Sequence, residues 1–154
     1  MIAIPDQLDL HRYAREGGPP LALTTNPMGH ALNTRIRRAD VQAEIVELLY
    51  EPGKMFMQGA GVLQGGAVST MLDFAMAFCV LLALPEGYSC STTNLNVNLL
   101  RAAKPGRYVA IGQPERRGRQ LAHTRATLFL EDEPDRLIAT ATSTLLITKL
   151  KTPS

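Results

Sequence analysis

The 154-residue sequence has two cysteines, three histidines and no block of like charge, and each scarcity removes a class of function. Cys79 and Cys90 form neither a CxxC motif nor a Cys/His spacing. A disulfide framework and a zinc site are therefore set aside, and both thiols read as reduced packing residues of a cytosolic protein. His11, His30 and His123 fall in the N-terminal segment and in strand-like sequence, as surface or packing residues rather than a catalytic base. The net charge is only +2, with basic residues scattered, which argues against a nucleic-acid-binding surface. The start, MIAIPDQLDLHRYAREGG, lacks the basic and then apolar blocks of a secretory signal. One apolar run, residues 67–84, is long enough to suggest a membrane span. Asp73 inside it, Ser69 and Thr70 beside it, and polar β-patterned sequence on both sides make it a buried core helix. The length fits one domain with a single substantial core.

What the chain does have is concentrated between Gln58 and Asp73, QGAGVLQGGAVSTMLD. A glycine-rich turn leads through Gln64, Gly65 and Gly66 into an apolar stretch free of proline and glycine until Pro85. The first N–H groups of a helix have no intrahelical partner, and its dipole adds partial positive charge, so an oxygen carrying negative charge is favoured there. Glycine lets a ligand approach those donors closely. About two turns further along sits Asp73, the one charged side chain of the stretch. Glycine pairs are common at turns, and a lone aspartate on an apolar helix can simply face water. An amide, helix-start donors and a carboxylate on one short segment point beyond that.

Residues 5–16 have a Pro-Asp start and apolar spacing at Leu8, Leu10 and Tyr13, which predicts a short amphipathic helix ended by Gly17, Gly18, Pro19 and Pro20. Residues 21–27 read as an irregular connection with Asn26-Pro27 as a turn. Strands are expected at 28–38 and 41–49, with Asp40 at the hairpin between them. After the helix, strands are expected at 91–102, 107–115, 120–130 and 136–148, separated by Lys104-Pro105-Gly106, Arg116-Arg117-Gly118-Arg119 and Glu131 to Asp135. In the first of these, Thr93, Leu95, Val97 and Leu99 alternate with Thr92, Asn94, Asn96 and Asn98, the pattern of a sheet with one face on the core. The asparagine row is either a polar outer face or a subunit contact. Two strands, one long apolar helix and four consecutive strands specify an α+β domain with an antiparallel sheet wrapped around the helix. It divides into an N-terminal helix and connection (1–27), the main domain (28–148) and a frayed tail (149–154).

The order of elements, the G-x-x-Q-G-G-x6-D segment from Gly61 to Asp73, the NLNVNLLRAAKPG strand and turn, the R-x-G-R turn and the closing IATATSTLLI strand together resemble a hotdog-fold thioesterase. The resemblance is to the subfamily containing phenylacetate-pathway acyl-CoA thioesterases and 4-hydroxybenzoyl-CoA thioesterase, and it covers residues 28–148. It implies a hydrolase that cleaves an aryl or medium-length acyl-CoA to free acid and coenzyme A. Asp73 would be the nucleophile or general base, and Gln58 would orient the water or the substrate carbonyl. The Gly65 N–H, with Gly66 nearby, would hold the oxyanion. A hydroxyl from the strand after the helix would lie near the carboxylate of a neighbouring subunit: Thr92, with Thr93 as the alternative.

Where the family commonly has His-Gly-Gly, this chain has Gln64-Gly65-Gly66, so an amide stands in for that histidine in substrate contact. Ala77 offers no hydroxyl one turn beyond Asp73. The turn holding Arg117, Gly118 and Arg119, with Arg116, is either a solvated hairpin tip or a clamp for coenzyme A phosphates, which Arg101 and Lys104 would join. Met55, Met57, Leu63 and Phe74 are candidates for the acyl pocket. The resemblance implies no cofactor and no metal, since thiolate already leaves readily, and a homodimer or homotetramer with its site between subunits. A non-catalytic acyl-CoA sensor on the same fold is the alternative. A hotdog hydratase needs a histidine beside the central helix, and none is there.

Overall fold

The computed structural model describes residues 3–151. Its centre is helix α3 (Gly65–Ala83), and its other helices are α1 (Pro5–Glu16) and α2 (Pro27–Ala31). The strands are β1 (Leu21–Ala22), β2 (Arg35–Asp40), β3 (Ile45–Tyr50), β4 (Tyr88–Leu99), β5 (Tyr108–Arg117), β6 (Leu121–Leu130) and β7 (Leu137–Lys149). Together they form a seven-stranded antiparallel sheet in the order β1-β2-β3-β5-β6-β7-β4. The sheet wraps α3, which is the hotdog arrangement.

Helix α3 is buried on most sides, Met71, Leu72, Ala75, Met76, Cys79 and Val80 being wholly inaccessible. By length and composition it could cross a membrane; the sheet supplies its apolar surroundings instead. Two contacts fix its seat. The Tyr50 hydroxyl donates to the Met71 carbonyl at 2.8 Å. At Gly112 on β5 the helix backbone comes so close that a Cβ would lie 2.0 Å from the Ala75 carbonyl oxygen, so only glycine fits. The far end of α3 is closed by α1: the buried Gln7 amide donates to the Leu81 and Leu84 carbonyls at 3.2 and 3.1 Å. The Leu81 carbonyl also takes the Leu84 N–H at 3.2 Å, and Leu84 is the residue that caps the helix.

Four expectations need correction. The strand expected at 28–38 is interrupted, because Asn26-Pro27 starts a helix. The Asn26 side chain accepts from the Gly29 N–H at 3.0 Å and Pro27 occupies the first turn, an N-cap followed by a residue whose missing N–H costs nothing there. Asn33, at φ 51°, ends that segment before β2 begins. The connection read as irregular contributes β1, which pairs with β2. The tail also begins later than expected, since Lys149 still pairs with Tyr88; residues 152–154 of that tail lie outside the described residues.

The fourth correction concerns β4. Thr92 pairs with Leu145 and Asn94 with Thr144, so Thr93 is an extra residue, a β-bulge. Cross-strand partners share a face, and the buried Ser143, Leu145 and Ile147 mark the helix side of β7. The bulge therefore puts Thr92 on the helix side together with Leu95, Val97 and Leu99, away from the asparagines. That face is also not fully covered, Leu95 and Leu99 being 39% and 55% exposed. Within one chain β4 is an edge, paired to β7 alone.

Candidate active site

Asp73 leaves the buried stripe of α3 on the side facing β4. There the Thr92 hydroxyl donates to its Oδ1 at 2.7 Å, and Oδ2 takes no hydrogen bond among the described residues. Thr93, one residue on, donates to the Thr144 carbonyl instead. The bulge thus decides between the two threonines, in favour of Thr92. Within one chain, Thr92 bonds the Asp73 of that same chain.

The pair opens onto a cleft of about 430 Å³ whose walls include Phe74, Ala77, Phe78 and Cys90. The two phenylalanine rings lie 5.9 Å apart, tilted at 59°, a favourable aromatic contact. Cys90 donates to the Ala77 carbonyl at 3.6 Å. Burial, and then the nearby Asp73 charge, push its thiol up to about 12. It is a neutral wall at physiological pH, since the thiolate is the nucleophilic form. Burial pushes the Tyr50 hydroxyl well up also, with Asp73 adding to it.

Gln58 and Gly65 lie elsewhere, in a second cleft of about 310 Å³ shared with Leu99, Leu100 and Arg101. The segment before α3 is a tight turn. Gln58 N–H donates to the Val62 carbonyl at 2.8 Å, the Gly61 N–H returns to the Gln58 carbonyl at 3.0 Å, and Gly61 takes φ 75°. Gln64 stands at the N-cap position, its carbonyl accepting from Ala67 and Val68, but its exposed side chain caps nothing. A Cβ at Gly66 would meet nothing within 4 Å, so the chain's own packing does not demand glycine there. Eight residues separate Gly65 from Asp73, a rise of about 12 Å along the helix. One subunit therefore does not bring Asp73 and the Gly65 N–H to the same atom.

The remaining candidates scatter. Arg117 forms a two-pronged pair with Glu44, at 3.2 Å from Nε and 2.5 Å from Nη2, which holds its guanidinium further above its ordinary range. Its fork is occupied, whereas Arg116 and Arg119 form no ion pair among the described residues. The Gly118 N–H closes the hairpin on the Leu121 carbonyl at 2.8 Å. Arg101 donates to the Leu137 carbonyl. Of the four pocket candidates, only Phe74 lines the Asp73 cleft; Leu63 lines the second, Met57 bridges to Leu63, and Met55 is 79% exposed. Sequence reasoning misses the opposite wall of the Asp73 cleft, formed by Ile4, Asp6, Asn26 and Met28. The only signal for it is Asn-Pro as a helix start. No group of His, Cys, Asp and Glu among the described residues could hold a metal.

A sheet-wrapped helix with a threonine-held carboxylate defines a class, and comparison with known proteins agrees. Residues 60–136 match the thioesterase superfamily model. A phenylacetic acid degradation-related protein from Ralstonia eutropha JMP134 is 33% identical, with 89% of this chain and 98% of that one aligned at a TM-score of 0.76. A thioesterase family protein from Silicibacter pomeroyi is 27% identical over 93% and 98%, at 0.75. The Haemophilus influenzae thioesterase HI1161, 23% identical over 83% and 87% at 0.73, shares the fold. No curated protein matches. The chain belongs to the thioesterase superfamily, and its activity is thioester hydrolysis.

Proposed function

We propose that the protein is a cytoplasmic acyl-CoA thioesterase acting on an aryl or medium-length acyl group, assembled as a homodimer or homotetramer with its site shared between subunits. The observation that carries this reading is the 2.7 Å bond from Thr92 to Asp73: one carboxylate oxygen is held and the other is left to face an apolar, aromatic-walled cleft. Such a group is oriented to attack a thioester carbonyl or to take a proton from water.

Attack puts negative charge on the carbonyl oxygen. The Gly65 N–H, with Gly66 beside it, stabilises that charge, and loss of one such donor costs about 3 kcal/mol in comparable sites. Gln58 orients the carbonyl or the water, and Gln64 contacts substrate. Because about 12 Å separates Asp73 from Gly65 in one chain, the carboxylate of one subunit works with the Gln58 and Gly65 of another. Arg119 and Gly118, with Arg116, receive the coenzyme A phosphates, and Arg117 joins them only by giving up Glu44. Thiolate leaves without a metal or cofactor.

The test is release of free coenzyme A, read with a thiol reagent, from aryl, short, medium and long acyl-CoA esters beside Asp73→Asn. Turnover of a subset, lost at least ~100-fold in the variant, supports the reading. Binding without cleavage of any ester overturns it in favour of an acyl-CoA sensor.

A further inference from the structure

The cleft beside Asp73 is closed by a segment outside the helix-and-sheet unit. Ile4 and Asp6 reach it from the start of α1, and Asn26 and Met28 from the start of α2. Asp6 is the unusual member. It is 7% exposed, and its Oδ1 accepts a 2.8 Å hydrogen bond from the Thr25 hydroxyl. Oδ2 takes no hydrogen bond among the described residues. A first-turn carboxylate is favoured by the unpaired N–H groups of α1, which explains why Asp6 is tolerated but not why it lines a cleft. No lysine, arginine or histidine lines that cleft. Two carboxylates, Asp6 and Asp73, line one cleft without a cation to offset them.

We propose that Asp6 sets the charge selectivity of this cleft, turning away acyl groups that end in a carboxylate and leaving uncharged acyl groups as substrates. The proposal rests on the thioesterase reading of the Asp73 cleft. A second negative charge brought within several ångströms of Asp6 in this half-enclosed space is disfavoured by a factor of about ten or more. An uncharged acyl end finds apolar contacts there in Ile4, Met28, Leu81 and the phenylalanine rings, and the other polar walls, Asn26, Thr70, Ser89 and Thr92, are uncharged.

The measurement is kcat/KM for hexanoyl-CoA and adipoyl-CoA, which have equal carbon number and differ in the terminal carboxylate. Asp6→Asn keeps an acceptor for Thr25 and removes the charge, and the adipoyl-to-hexanoyl ratio is expected to rise about tenfold or more. A ratio within about twofold of wild type overturns the proposal. Asp6→Ser, which removes the charge and keeps a hydroxyl for Thr25, serves if Asp6→Asn does not fold. The ratio has to rise there too, and an unchanged ratio counts against Asp6. Affinities of the same two esters for Asp73→Asn, with and without Asp6→Asn, separate the two readings. If wild type hydrolyses no aryl, short, medium or long acyl-CoA the thioesterase assignment of this cleft falls, while the affinity ratio of these two esters still decides charge selectivity.

Discussion

Thr92 reaches Asp73 only because β4 carries an extra residue at Thr93. The bulge shifts the alternation by one, so the hydroxyl that a regular strand would turn to the outer face sits 2.7 Å from the carboxylate. Thr92→Val keeps the shape and removes the donor. A hydrogen bond to a charged group is worth about 1.5–3 kcal/mol, so kcat/KM is expected to fall at least ~10-fold. Thr93→Val, which loses only a bond to a backbone carbonyl, has to stay within about threefold. Equal losses in the two variants would remove Thr92 from the site.

If the site is shared between chains, two defective subunits complement each other. Gln58→Ala and Asp73→Asn, unfolded together in equal amounts and refolded, give mixed dimers in which one of the two sites is intact. About a quarter of wild-type activity is then expected from random pairing. No recovery above the two parent variants would mean that each chain works alone.

Gly112 is the tightest point of the fold. Gly112→Ala drives a methyl into the Ala75 backbone, and overpacking against a helix that cannot give way costs about 3 kcal/mol. Urea unfolding should show the midpoint falling steeply. A loss below about 0.5 kcal/mol, the range of an ordinary surface change, would mean that α3 does not sit as close to β5 as described.

Cys90 makes stability depend on alkaline pH. Its thiol is raised in the folded state from 9.0 to about 12, so the folded protein holds a proton that the unfolded chain releases first. Its contribution is fully present below pH 9 and is lost as pH rises towards 12. Cys90→Ala should flatten that part of a stability-against-pH curve. An unchanged slope would assign alkaline unfolding to other groups, among them the buried Tyr50.

The fold was readable where local chemistry and tertiary structure agree. The apolar run of α3 between Gly65 and Pro85, and the proline, glycine and arginine turns that separate β5, β6 and β7, need no distant information. It was not readable at Asn26-Pro27, where one dipeptide suits both a turn and a helix start. Nor was it readable at Thr92 and Thr93, since Ser-Thr-Thr-Asn alternates equally well in either register and only β7 shows which residue is extra. Within the candidate site, Asp73 stands out because a charge among apolar neighbours is conspicuous in sequence. Arg117 misleads because the carboxylate that occupies it, Glu44, is 73 residues away. Asp6 stays hidden because nothing in its own helix says which cleft that helix closes.

The position of β4 also orders events during synthesis. Its one neighbour in the sheet is β7, the last of the seven strands in chain order: Tyr88 pairs with Lys149 and Leu99 with Ala139. For the roughly fifty residues between them, β4 exists with both backbone edges open and Leu95 and Leu99 in water, the condition in which strands find wrong partners. The nascent chain has to be kept from doing so until β7 has been made.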